Sequence, residues 1–192
     1  MTASERLDEA RREVAEWCEG RFWPGRALLL VWMAYIGLQH LRDTDYQSLF
    51  GALDLGIHEA GHLLFSPLGA FLTTAGGTLL QLAAPIVGAA LFVRQRDYFG
   101  VTIAGCWLAM NVYGVATYMA DAREMDLPLV TVGGGEAGHD WNAMLDAMGM
   151  LTWDTTLAGL ARLAAFALMW SSIAAGAWMV ARMARSQAPS RE

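Results

Sequence analysis

LLFSPLGAFLTTAGGTLLQLAAPIVGAALFV, residues 63–93, runs for 31 residues without a charge. As one straight helix it would be about 46 Å long, too long for a hydrocarbon core of about 30 Å. Pro67 and the Gly76-Gly77 pair interrupt it. The pattern therefore predicts a half-helix, a turn, and a full membrane span near Thr78 to Val93.

Other runs of the same kind lie around it. Tyr98 to Ala120 gives 23 uncharged residues and Leu163 to Ala181 gives 19, each enough to cross a bilayer. Ala27 to Leu41 is shorter, but Phe22 and Trp23 extend it, and Arg26 can snorkel toward the head groups. Composition agrees. Of the 192 residues 55% are hydrophobic and only 17% charged, and mean hydropathy is +0.32. A soluble domain carries about a quarter charged residues, and a disordered chain carries far fewer apolar ones. With a net charge of −6 and no basic tract, nucleic acid is excluded as a partner. Cys18 and Cys106 form neither a disulfide framework nor a Cys-x-x-Cys site.

The first 20 residues are charged throughout, unlike a secretory signal. Thr2 and Glu5 have capping-box spacing, and Leu7, Ala10, Val14 and Trp17 recur at helical intervals. Residues 1–21 thus read as an amphipathic helix on the membrane surface, or as a merely solvated charged helix. All 13 basic residues are arginine, and they test the topology. If the segment around Gly51 to Leu72 enters and leaves on one side, ten of the thirteen face the cytoplasm. These are Arg6, Arg11, Arg12, Arg21, Arg26, Arg94, Arg96, Arg182, Arg185 and Arg191, as the positive-inside rule favours. A full crossing would divide them.

The expected architecture is accordingly a single all-α domain: a polytopic membrane helix bundle of four spans plus a short or re-entrant helix. Membrane helices occupy 22–120, an extramembrane loop with a short helix 121–155, the last span 156–182 and a tail 183–192. Both termini are cytoplasmic. In the loop, Leu127 to Val132 is apolar and Gly133-Gly134-Gly135 flexible. Trp141, Met144, Leu145 and Met148 then mark an amphipathic helix ended by Gly149.

Chemistry concentrates just before the opening stretch. His58-Glu59-Ala60-Gly61-His62 reads H-E-x-x-H. Four residues apart on a helix, the two imidazoles point one way and can share a zinc ion, with Glu59 beside it as general base for water. Asp54, one turn earlier, is placed to accept the second ring N–H of His58. Ionisable groups in so apolar a setting cost about 2.5–3.5 kcal/mol each even on lenient insertion scales, which marks them as functional. A catalytic zinc needs a third protein ligand. The remaining candidates are Gln81, Asn111, Asp121, Glu136, His139 and Asp140, and the His139-Asp140 pair stands out. Either can ligate while the other orients a ligand, although Asp140 is equally placed to cap the helix that follows. Asn111, in mid-span, can hydrogen-bond a ligand or substrate backbone, or serve helix packing. Asp121 ends its span, and His40 reads as interfacial.

On the HEAGH motif, set in an apolar helix and followed by the Pro- and Gly-Gly-broken segment, the chain resembles the site-2 protease family of membrane-embedded zinc metalloproteases. It looks most like the compact bacterial branch. The resemblance spans roughly residues 53–145 and rests on His58, Glu59 and His62. It implies zinc, a membrane-protein or peptide substrate, contact with membrane lipid, and placement in a bacterial inner membrane. That family takes its third ligand, an aspartate, from a Leu-Asp-Gly sequence. This chain has Leu145-Asp146-Ala147 and His139-Asp140-Trp141 instead, and by family logic Asp140 is the ligand. The expected function is a metalloprotease, a hydrolase in which Glu59 primes water. The alternative is a non-catalytic membrane metal-binding or adaptor protein that keeps the motif.

Overall fold

The computed structural model describes residues 2–127 and 138–187. Most of the apolar loop stretch 127–132, the Gly133–Gly135 triplet, Glu136 and the end of the tail lie outside them. Among the described residues there are seven α-helices, two short 3-10 turns and no strand. The helices are α1 (Ala3–Trp17), α2 (Pro24–Arg42), α3 (Gly51–Phe65), α4 (Ala70–Arg94), α5 (Tyr98–Ala120), α6 (Asp140–Ala147) and α7 (Asp154–Ser186).

Three segments have the length and apolarity to cross a membrane: Ala70–Arg94, Tyr98–Ala120 and Leu151–Ser186. The middle one is the hub. In its most apolar stretch 61% of residues are buried, against 22% in each of the other two, whose remaining surface faces outward. Met33 and Ile36 of α2, Cys106, Ala109, Met110 and Tyr113 of α5, and Ala165 and Met169 of α7 form the central core. At one end Cys18, Leu30, Phe99, Met179 and Met183 pack together. There the Tyr98 hydroxyl donates to Glu13 Oε1 at 2.6 Å, and Gln187 Nε2 donates to the Arg21 carbonyl at 3.0 Å. So α1, the turn before α5 and the end of α7 meet. The capping box forms at Thr2 and Glu5, and α1 buries none of its own side chains.

The opening stretch folds differently from its sequence pattern. The break falls at the 3-10 turn Ser66–Leu68 and at Gly69, whose φ of +95° suits glycine. From there α4 runs unbroken through Gly76-Gly77. These glycines serve close approach instead of a turn. A Cβ on Gly61 would collide with the Gly76 carbonyl, and one on Gly76 would lie 2.7 Å from the Gly61 carbonyl oxygen. A Cβ on Gly77 would lie 2.5 Å from His58 Nε2. Glycine costs about 1 kcal/mol against alanine in a helix interior. Here it lets α3 lie against α4 nearly backbone to backbone, as small residues do between membrane helices. Gly61→Ala is therefore expected to destabilise the fold by about 3 kcal/mol, the upper end for overpacking, because the obstacle is backbone. Thermal unfolding in detergent reads this; an unchanged midpoint would contradict the packing.

The pairing of α3 with its neighbours sets its direction. Asp54 meets Trp107 and Asn111 halfway along α5, while the His58 ring lies 6.2 Å from that of Tyr118 near its end. The loop from α2 touches that same end, where Thr117 Oγ1 donates to the Thr44 carbonyl at 2.6 Å. The Phe50 ring, at the start of α3, lies tilted 5.6 Å from that of Trp32 in the middle of α2. The chain thus dips toward mid-bundle after α2, and α3 climbs back toward the end it came from. There α6 docks: Met144 and Leu145 are buried, the latter against Val115, Met119, Ala122 and Ala158, while Met148 stays exposed.

Candidate metal centre

With 3.6 residues per turn, Asp54, His58 and His62 form one stripe along α3, and Glu59 flanks it. The stripe faces α4, α5 and the first turn of α6. Each imidazole is held by its Nδ1. That of His58 donates to Gln81 Oε1 at 3.0 Å and that of His62 donates to the Thr73 carbonyl at 2.8 Å, both acceptors belonging to α4. With the protons on Nδ1, both Nε2 atoms are left with a lone pair, and both meet one atom. Asp140 Oδ2 lies 3.0 Å from His58 Nε2 and 3.2 Å from His62 Nε2.

Two neutral imidazole lone pairs against a carboxylate oxygen repel one another. A proton on one ring satisfies one contact; a divalent cation satisfies both. The three donor atoms lie within 4.8 Å of one another, so His58, His62 and Asp140 form a group able to hold a metal ion. Two nitrogens and an oxygen suit a borderline first-row cation and leave a coordination position open. Outer partners that orient ligating imidazoles are the usual companions of such sites.

Asp140 is aimed by its neighbours. His139 takes the N-cap of α6: its Nδ1 accepts the Asn142 N–H at 3.1 Å, and its Nε2 donates to Asp121 Oδ2 at 3.1 Å. Both ring nitrogens are committed, so His139 stands outside the ligand group. The two neighbours divide the roles, with His139 as the cap and Asp140 free to face the histidines. The Asp140 N–H also donates to the Tyr118 hydroxyl at 3.0 Å, and Asn142 Nδ2 donates to the Ala122 carbonyl at 2.8 Å. The first turn of α6 is thereby pinned to the end of α5.

Asp54 does not support His58, whose outer partner is Gln81. The Asp54 Oδ1 atom accepts instead from Trp107 Nε1 at 2.8 Å and Asn111 Nδ2 at 3.3 Å, tying α3 to α5. His40, in the last turn of α2, is buried and stacked on Tyr113 with ring centroids 4.6 Å apart. Among the residues the sequence did not mark are Tyr118, whose only cue is its place two turns beyond Asn111, and Thr73, whose backbone carbonyl leaves no side-chain cue. The centre opens on a cavity of about 770 Å³ lined by His58, His62, Asp140, Asp54, Tyr118 and Glu59. Glu59 is half-buried, and no hydrogen bond reaches its carboxylate among the described residues.

Comparison with protein-family models, curated proteins and solved structures finds no match for this chain.

Proposed function

We propose that this protein is an integral membrane, zinc-dependent peptidase that hydrolyses peptide bonds at or within the bilayer. The observation that carries the reading is the convergence of His58 Nε2 and His62 Nε2 on one Asp140 oxygen, at the wall of a cavity that Glu59 also lines. Zinc held by these three residues would supply Lewis acidity and bring the pKa of water toward neutrality. The Glu59 carboxylate, without a hydrogen bond among the described residues, receives a proton from the attacking water and returns it to the leaving nitrogen as the C–N bond breaks. Gln81 and the Thr73 carbonyl keep the imidazoles in the tautomer that presents Nε2. Tyr118 and His139 hold Asp140 in place.

The membrane arrangement supports this reading. In it α2 is a fourth span and α3 a re-entrant helix, so water reaches the cavity from one face without crossing lipid. The arginines of α1, of the turn before α5 and of the end of α7 gather at the opposite end, which is the cytoplasmic one by the positive-inside rule. There α1 rests on the membrane surface, and both termini are cytoplasmic in a bacterial inner membrane. The substrate is a membrane protein or peptide.

The test is metal dependence. Purified protein is expected to carry near-stoichiometric zinc and to cleave a denatured membrane-protein substrate. A chelator should abolish cleavage, and added zinc should restore it. Zinc binding without cleavage of any substrate would favour a structural or adaptor role.

A further inference from the structure

Asp54 is only 8% exposed, yet no cationic group lies within 4 Å of its carboxylate among the described residues. Both hydrogen bonds it receives there, from Trp107 and Asn111, end on Oδ1, which leaves Oδ2 for the cavity that Asp54 lines. Asn111 is 1% exposed and borders the same cavity. Its Nδ2 is spent on Asp54 and on the Trp107 carbonyl, while its Oδ1 is buried with no partner among the described residues. The two side chains therefore present acceptors only: a carboxylate oxygen and an amide oxygen, side by side in an apolar bundle. Burying such a pair is unfavourable unless a donor meets it, and a positively charged donor meets it best.

We infer that Asp54 and Asn111 form a subsite for a substrate ammonium group, placed one helical turn, or about 6 Å, from the His58 ligand position. The inference rests on the peptidase reading and adds its substrate class: peptides with a positive charge about one residue from the bond to be cut. A free amino terminus one residue before that bond reaches the subsite, and so does the side-chain ammonium of a lysine beside it. The carboxylates of Asp45, Glu59 and Asp140 line the same cavity, so it is the loss of the preference in Asp54→Asn that assigns the ammonium to Asp54.

Three dipeptide hydroxamates separate these cases, with binding to the zinc-loaded protein measured by calorimetry. They are alanyl-leucine hydroxamate with a free terminus, its N-acetyl form, and N-acetyl-alanyl-lysine hydroxamate. At least one of the two cationic compounds should bind about tenfold or more tighter than the neutral N-acetyl-leucine form, as a charged hydrogen bond predicts. Which one does so identifies the ammonium as terminal or side-chain. Asp54→Asn keeps the shape and the Trp107 contact, and should abolish the difference while zinc content stays unchanged. Equal binding of all three by the native protein overturns the subsite, as does a preference that survives Asp54→Asn. Failure of all three to bind the zinc-loaded protein rejects the open metal position itself, and the peptidase reading with it.

Discussion

Asp140→Ala should strip the metal from the purified protein, taking zinc from near-stoichiometric to near zero after dialysis. This carboxylate is the one group in the centre that does not come from α3, and both His Nε2 atoms converge on it. Two imidazoles one turn apart remain in the variant, but they form only half of a tetrahedral set. His139→Ala offers the contrast. It removes the α6 cap and the bond to Asp121, so Asp140 is less well aimed but still present. Zinc affinity should fall by about 10–100-fold, the usual effect of losing an outer partner. Metal analysis with a competing chelator separates the two. If His139→Ala loses as much zinc as Asp140→Ala, the division of roles between these neighbours is wrong.

The second large effect is expected at Glu59. Glu59→Gln leaves the donor set intact, since Glu59 bonds to none of the three ligands, and zinc should stay bound. Cleavage should fall by about 10²–10⁴-fold, the range a positioned general base contributes. Zinc content and cleavage rate must come from the same preparation, because a loss of both would point to misfolding. Cleavage that persists at the native rate would remove Glu59 from the mechanism and leave the centre as a structural metal site.

Some of this was legible along the chain and some was not. The apolar runs of α4, α5 and α7 are local, and a bilayer-length stretch without charge declares itself. The His58, Glu59 and His62 spacing is local too, because one helical turn is short in sequence. The capping box of α1 and the buried face of α6 follow the same periodic logic. The misreadings share a cause. Gly76-Gly77 has the composition of a turn, and only the approach of α3 reveals that the glycines serve interhelical contact. Asp54 sits one turn from His58, and spacing alone makes it the natural partner. The rotation of α3, however, turns Asp54 toward Trp107 and Asn111 and presents His58 to Gln81, 23 residues away.

The amino-acid sequence by itself determined the all-helical, membrane-suited character of this chain and the pair of imidazoles, because hydrophobic periodicity and helical spacing act within a few turns. Only the tertiary structure brought Asp140, and not His139, within reach of both imidazoles. His139 and Asp140 are adjacent and both chemically able to ligate. Their choice depends on which one the docking of α6 against α5 engages as a cap and which it leaves facing α3. That docking is set by the burial of Leu145 and by contacts to Tyr118, Asp121 and Ala122, all distant along the chain.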